Sequence, residues 1–179
     1  MEPSKTPLAH GFDVNAIRQA AANLDEGAVT GGYQADHDAV VQMLNDALAT
    51  ELVCVLRYKR HYYTVNGIGN GPVKAEFLEH AQQEQAHADA LAERIVQLNG
   101  SPNFNPATLT ARSHAEYDDS GDVQAMIRSN LIAERVAIES YRQMIAAIGD
   151  KDPTTRQLLT GIMAVEEEHA DDMRDLLAK

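Results

Sequence analysis

Four stretches of this chain carry an apolar stripe at helical spacing, and a glutamate interrupts each stripe near its middle. The first reads Leu44, Leu48, Glu51, Val55, Tyr58, Tyr62, and the second Phe77, His80, Glu84, His87, Leu91, with Leu98 further on. The third reads Ile127, Asn130, Glu134, Ala137, Tyr141, Met144, Ile148, and the fourth Ile162, Glu166, His169, Met173, Leu176. Alternating steps of three and four put each set on one helical face, the face that a soluble helix turns inward. A glutamate facing a core costs on the order of several kcal/mol unless it is neutralised or paired. One could be a local oddity. Four at matching depth require a fold that gathers them around a shared positive charge. Lys and Arg are missing from the middle of these stripes, so the expected counter-charge is a metal ion.

The breakers between the stripes set the helix lengths. Helices are predicted over about Asp36–Asn66, Val73–Asn99, Asp122–Ile148 and Pro153–Leu177, separated by GIGNGP, a Pro-, Asn- and Ser-rich stretch over 100–121, and GDKDP. Each is about 35–40 Å long. The first two are joined by a short link, as are the last two. The middle link can span roughly 65 Å when extended, enough to run the length of a bundle. The expected fold is therefore all-α: an antiparallel four-helix bundle with a long crossover between helices two and three, the connectivity of ferritin-like bundles. Residues 1–34 read as an N-terminal extension with a short helix from about Asp13 to Glu26 closed by Gly27, and 35–179 as the bundle.

The chemistry of the six interrupting residues is specific. Glu84 and His87, like Glu166 and His169, stand three apart and so share a helical face. In the run EEEH, Glu166 falls on the stripe while Glu167 and Glu168 fall off it. Four carboxylates and two imidazoles can hold two divalent ions; such oxygen-rich ligation with imidazole suits iron or manganese, and zinc also fits. Glu51 precedes its Glu-x-x-His by 33 residues and Glu134 precedes the other by 32. ATELVCVLRY and IAERVAIESY are alike, each with a Tyr seven residues after the Glu. A repeat of about 83 residues relates two half-sites by a pseudo-two-fold axis. One Glu on each of two helices and Glu-x-x-His on the other two is the pattern of di-iron carboxylate bundles.

With TELV and a Tyr seven residues on, EQAHAD, LNGSPN, DVQAMIRSNL and EEEHADDM in place, the chain resembles the bacterioferritins over about Val40–Leu177. The resemblance implies a di-iron site ligated by Glu51, Glu84, His87, Glu134, Glu166 and His169, with the Glu-x-x-His glutamates bridging. It matches Tyr58 to a tyrosine beside the site, as electron donor or hydrogen-bonding support. Gln85 stands where that family has its haem-ligating Met, so no haem is expected. The chain ends ten residues after His169, without the fifth helix of the 24-subunit cages. A Dps-like dodecameric cage is expected rather than a 24-mer.

Of the remaining candidates, His80 reads as a supporting or core histidine rather than a ligand. Tyr141 and Asn130 read equally as packing or as partners of the ligands. His10, His37, His61 and His114 read as surface or interface residues, and Cys54 as a small buried hydrophobe. The acids Asp171, Asp172 and Asp175 read as a solvated face or, in a cage, together with Glu76 and Glu79, as an iron-gathering lining of its cavity or pores. The net charge of −12 and the single Lys5 in the first 17 residues argue against a nucleic-acid partner. One cysteine excludes an intramolecular disulfide. No secretory leader or membrane span is expected, and a cytoplasmic location fits. The resemblance implies a ferroxidase that oxidises Fe(II) with O2 or H2O2 and stores ferric mineral in a homo-oligomeric cage. The rival reading is a non-storage di-metal redox enzyme, rubrerythrin-like or manganese-catalase-like.

Overall fold

The computed structural model describes residues 11–178; Lys5 and His10 lie outside them. Helix α1 spans Val14–Ala20, α2 His37–Thr64, α3 Gly71–Gln97, α4 Leu109–Arg112, α5 Val123–Ile148 and α6 Pro153–Leu177, with a 3-10 turn at Pro106–Thr108 before α4. There is no strand among the described residues. Helix α2 packs along α3 and α5 along α6; α2–α5 and α3–α6 contacts close the pairs into a bundle.

The long helices start where a side chain can satisfy their free N–H groups. Asp36 accepts from the Ala39 N–H, Asp122 from that of Ala125 and Asp152 from that of Thr155. Helix α3 lacks a side-chain cap and relies on Pro72 in its first turn. It ends through Asn99, in the left-handed region at φ 60°, which lets the Gly100 N–H reach back 2.8 Å to the Ile95 carbonyl. Gly100 then lies so close to α2 that a Cβ there would meet Val41 at 2.8 Å. Asn45 of α2 fastens the following loop, donating to the Ser101 carbonyl and accepting from the Asn103 N–H.

The N-terminal helix is shorter than the expected 13–26. Asp13, the expected first residue, caps it from outside; the helix buries no residue, and so short an isolated helix gains little. Past Ala21, the Asn23 side chain accepts from the Asp25 N–H instead, a local bond that competes with helix. The chain then folds back on the bundle, where Val29 and Tyr33 pack against the core and the Tyr33 hydroxyl donates to Asp152.

Most of the core falls in two apolar layers, with a small third cluster at Cys54, Ala115 and Ala133. One surrounds Leu44, Leu48, Leu91, Ile95, Met144 and Leu159; the other surrounds Tyr58, Phe77, Met126, Ile127 and Met173. The interrupting glutamates lie between them. Helix α2 is long and apolar enough to cross a membrane by length and composition, contrary to expectation, but 61% of its apolar window is buried inside the bundle.

Candidate metal centre

All four glutamates are buried: Glu51 and Glu84 are 1% exposed, Glu134 and Glu166 fully enclosed. Helix α2 brings Glu51, α3 brings Glu84 and His87, α5 brings Glu134, and α6 brings Glu166 and His169. Glu167 and Glu168 point outward, as the stripe requires.

The six residues form two overlapping groups. Ligand atoms of Glu51, Glu84, His87 and Glu166 lie within 4.8 Å of one another, as do those of Glu84, Glu134, Glu166 and His169. Glu84 and Glu166 belong to both. Nδ1 of His87 is 2.9 Å from Glu166 Oε1, 3.4 Å from Glu51 Oε2 and 3.7 Å from Glu84 Oε2. Nδ1 of His169 is 3.2 Å from Glu166 Oε2, 3.6 Å from Glu84 Oε1 and 3.8 Å from Glu134 Oε2. Each shared carboxylate thus turns one oxygen to each half.

Seven of these inward atoms have no hydrogen-bond partner: Glu51 Oε2, Glu84 Oε1, His87 Nδ1, Glu134 Oε2, both oxygens of Glu166 and His169 Nδ1. Buried polar atoms are normally paired. Even the 2.9 Å approach of His87 to Glu166 is not aligned as a hydrogen bond; the inward nitrogens and oxygens face shared points instead. Hard oxygen donors with one imidazole per group fit divalent ions such as iron, manganese or zinc. The electrostatics agree. Burial, then the Glu84 charge, push Glu51 well above the usual carboxylate range. Burial acts to lower His87 and His169, yet the carboxylates facing them outweigh it and raise both to about 12. The centre holds positive charge strongly.

The outer atoms of the same residues are held by partners. Tyr58 donates to Glu134 Oε1 and Tyr141 to Glu51 Oε1. His169 Nε2 pairs with Gln83 Oε1 at 2.7 Å, which leaves its Nδ1 free to face the centre. His80 touches the Tyr58 hydroxyl at 3.1 Å and stacks on His169. On the other side, His87 borders a cleft of about 520 Å³ between α3 and α6, lined by Ala90, Leu158, Gly161 and Val165.

Two expectations are corrected. Asn130 bonds to none of the six residues: it accepts from Arg57 Nε at 2.8 Å, and its amide contacts His61. His61 is not a surface residue but fully buried, bonded to Asn130 and to Asp118. Three supporting residues, Arg57, Gln83 and Asp118, went unrecognised in the sequence. Arg57 is fully buried and donates to Asn130, the Glu116 carbonyl and Cys54 Sγ. A signal existed: Thr50, Cys54, Arg57 and His61 repeat at four, three and four, a second inward stripe on α2. The crossover covers it, with His114 and Glu116 backbone groups on Thr50 and Arg57, and Asp118 on His61. Cys54 is buried as expected, against Ala115 and Ala133. His37 is half-buried and His114 exposed.

A family model of the ferritin-like domain matches residues 41–179. A bacterioferritin of Brucella melitensis is 32% identical over 145 residues, spanning 78% of this chain and 85% of that protein. A nutrient stress-induced DNA-binding protein of Synechococcus is 29% identical over 144 residues, 78% of this chain and 81% of its own. Among solved structures, the dodecameric thioferritin of Bacteroides fragilis, a bacterioferritin-related protein, superposes with a TM-score of 0.77 at 32% identity, covering 80% of this chain and 86% of that one. Dps from Thermosynechococcus elongatus superposes with a TM-score of 0.75 at 25% identity, covering 79% and 92%.

Proposed function

This chain belongs to the ferritin-like family, and on that premise we propose that it oxidises Fe(II) at a two-ion centre inside the bundle and stores the ferric product in a cage. The observation that carries the reading is the pair of four-residue groups sharing Glu84 and Glu166, with their inward atoms unpartnered. Glu51 and His87 would bind one Fe(II), Glu134 and His169 the other, and Glu84 and Glu166 would bridge. Iron is here the substrate. Each Fe(II) gives up one electron; the pair reduces O2 with two protons to H2O2, or H2O2 with two protons to two waters. The four carboxylates balance the charge gained on oxidation, and the two imidazoles fix the geometry. Gln83, Tyr58 and Tyr141 keep the ligands aimed while the charge changes.

The cage reading rests on the likeness to a dodecameric relative and to Dps; we take the assembly to be a cytoplasmic homododecamer. Nucleic acid is no partner in this reading, given the net charge of −12. The deciding experiment is an aerobic Fe(II) load followed by a sizing column, with iron and protein read in the same fractions. The expected result is far more than two irons per chain, co-eluting with a particle many times the mass of one chain. Retention of about two and no more would replace storage by a di-iron redox enzyme. No retained iron would overturn the two-ion reading itself.

A further inference from the structure

Glu76, His80 and Asp172 form a further group beside the centre; none of them is among its six residues, though His80 also lies within reach of Glu134 and His169. Glu76 and His80 are one turn apart on α3; Asp172 follows His169 by three on α6. Nε2 of His80 lies 3.3 Å from Glu76 Oε1 and 3.5 Å from Asp172 Oδ2, and one ligand atom from each of the three lies within 4.8 Å of the others. The His80 ring is buried, 1% exposed, whereas the Glu76 and Asp172 side chains are 31% and 52% exposed. The group therefore opens to solvent on one side and abuts the centre on the other.

The bonding around Tyr58 determines what His80 presents. Tyr58 has one hydroxyl proton, and it goes to Glu134, a carboxylate that only accepts. The Tyr58 oxygen must then accept from His80 Nδ1, 3.1 Å away. A neutral His80 thus carries its proton on Nδ1 and aims the Nε2 lone pair at two carboxylates. The ring cannot turn away easily, because it stacks on His169 with centroids 3.9 Å apart and meets Tyr58 edge-on. Three electron-pair donors, one of them buried and locked, converge on one small space. Such an arrangement is repulsive until a proton or a metal cation sits among them.

We propose that Glu76, His80 and Asp172 bind a further divalent cation at the solvent edge of the bundle. One imidazole and two carboxylates suit an ion of borderline hardness such as Fe(II), Co(II) or Zn(II), with water completing its shell. The site is a holding position for an ion approaching the Glu134–His169 half of the centre, which His80 contacts directly through its stacked ring. It stands on its own residues, whether or not the main centre binds two ions.

The test is an anaerobic Co(II) titration of the full protein by calorimetry, comparing wild type with the Glu76→Gln/Asp172→Asn double variant. Both changes are at partly exposed positions and remove charge without altering shape, so folding is expected to be kept, with circular dichroism as the check. Wild type is expected to bind one more Co(II) per chain than the double variant, and the ions remaining in the variant are expected to bind with unchanged affinity. Equal stoichiometry in the two proteins would overturn the proposal and show that His80 shares only a proton with its carboxylates. The difference between the proteins reports on this group alone. The uptake left in the variant reports on the main centre, so the two readings fail separately.

Discussion

Tyr58 follows Glu51 by two turns of α2, yet its hydroxyl donates to Glu134 on α5; Tyr141 follows Glu134 and donates to Glu51. Each half of the pseudo-repeat thus holds the lone glutamate of the other half. Glu51 and Glu134 each keep one oxygen for the centre and give the other to a tyrosine from across the bundle. The expected consequence is that Tyr58→Phe and Tyr141→Phe each slow Fe(II) oxidation by about 10–100-fold, as loss of an outer ligand contact commonly does. Stopped-flow oxidation rates check this. Rates unchanged in both variants would show that the straps are packing alone.

Shared and terminal glutamates are expected to behave differently. Glu84→Ala or Glu166→Ala removes a ligand from both groups and should abolish tight binding of both ions. Glu51→Ala touches only the His87 group and should leave the Glu134–His169 ion bound. Co(II) stoichiometry after dialysis separates the two outcomes; equal losses from Glu51→Ala and Glu84→Ala would remove the bridging assignment.

Metal is expected to stabilise the fold, because the centre gathers four buried carboxylates that repel one another. Zn(II) at about 100 times its Kd adds about 2.7 kcal/mol per site. For a domain of this size that is a rise of about 5–11 °C in Tm. Scanning calorimetry with Zn(II) and then with excess EDTA measures it. A Tm indifferent to both would contradict a binding site at these residues.

Asp152 ties α6 to α3 and to the N-terminal segment. It accepts from the Thr155 N–H and hydroxyl, from Arg94 and from Tyr33. Burial acts to raise its pKa, but the Thr155 and Tyr33 bonds and the Arg94 charge outweigh burial and hold it below the usual aspartate range. A group depressed in the folded state stabilises above its unfolded pKa, near 3.9, and loses that contribution as pH falls through the lower folded value. Asp152→Asn should therefore cost about 1–3 kcal/mol at neutral pH, and the gap from wild type should close below about pH 4. Denaturant melts across pH follow it. A gap independent of pH would mean that the carboxylate's charge plays no part.

At Gly100 the contact, not the backbone, demands glycine. Gly100→Ala would place Cβ at 2.8 and 2.9 Å from the two Val41 methyls and 3.0 Å from Ile95, at a cost of about 1–3 kcal/mol. Val41→Ala in the same chain should recover part of that loss, since the two positions share one contact. Strictly additive losses in a double-mutant cycle would rule the clash out.

The four stripes made the bundle and its polar layer legible, since burial follows the 3.6-residue period wherever a helix has one inward face. Every stripe residue is buried except Tyr62 and Leu176, which are half-buried at the bundle ends. A helix with two covered faces hides its second one. On α2 the second stripe, Thr50, Cys54, Arg57 and His61, is buried by residues 114–118 of a crossover that reads as a plain connection. Asn130, which reads equally as packing or as a partner of the residues one turn on, bonds to Arg57 and His61 of that second stripe.

What the amino-acid sequence determined by itself is which residues face inward and at what depth along each helix. That follows from a local period and needs no knowledge of neighbours. Which inward atoms meet depends on how the helices dock. Helix period says nothing of how far one helix slides along another, and a slide of less than one turn selects the partners. That offset turns one oxygen of Glu84 to His87 and the other to His169, carries Tyr58 to Glu134, and leaves His80 beside Glu76 and Asp172.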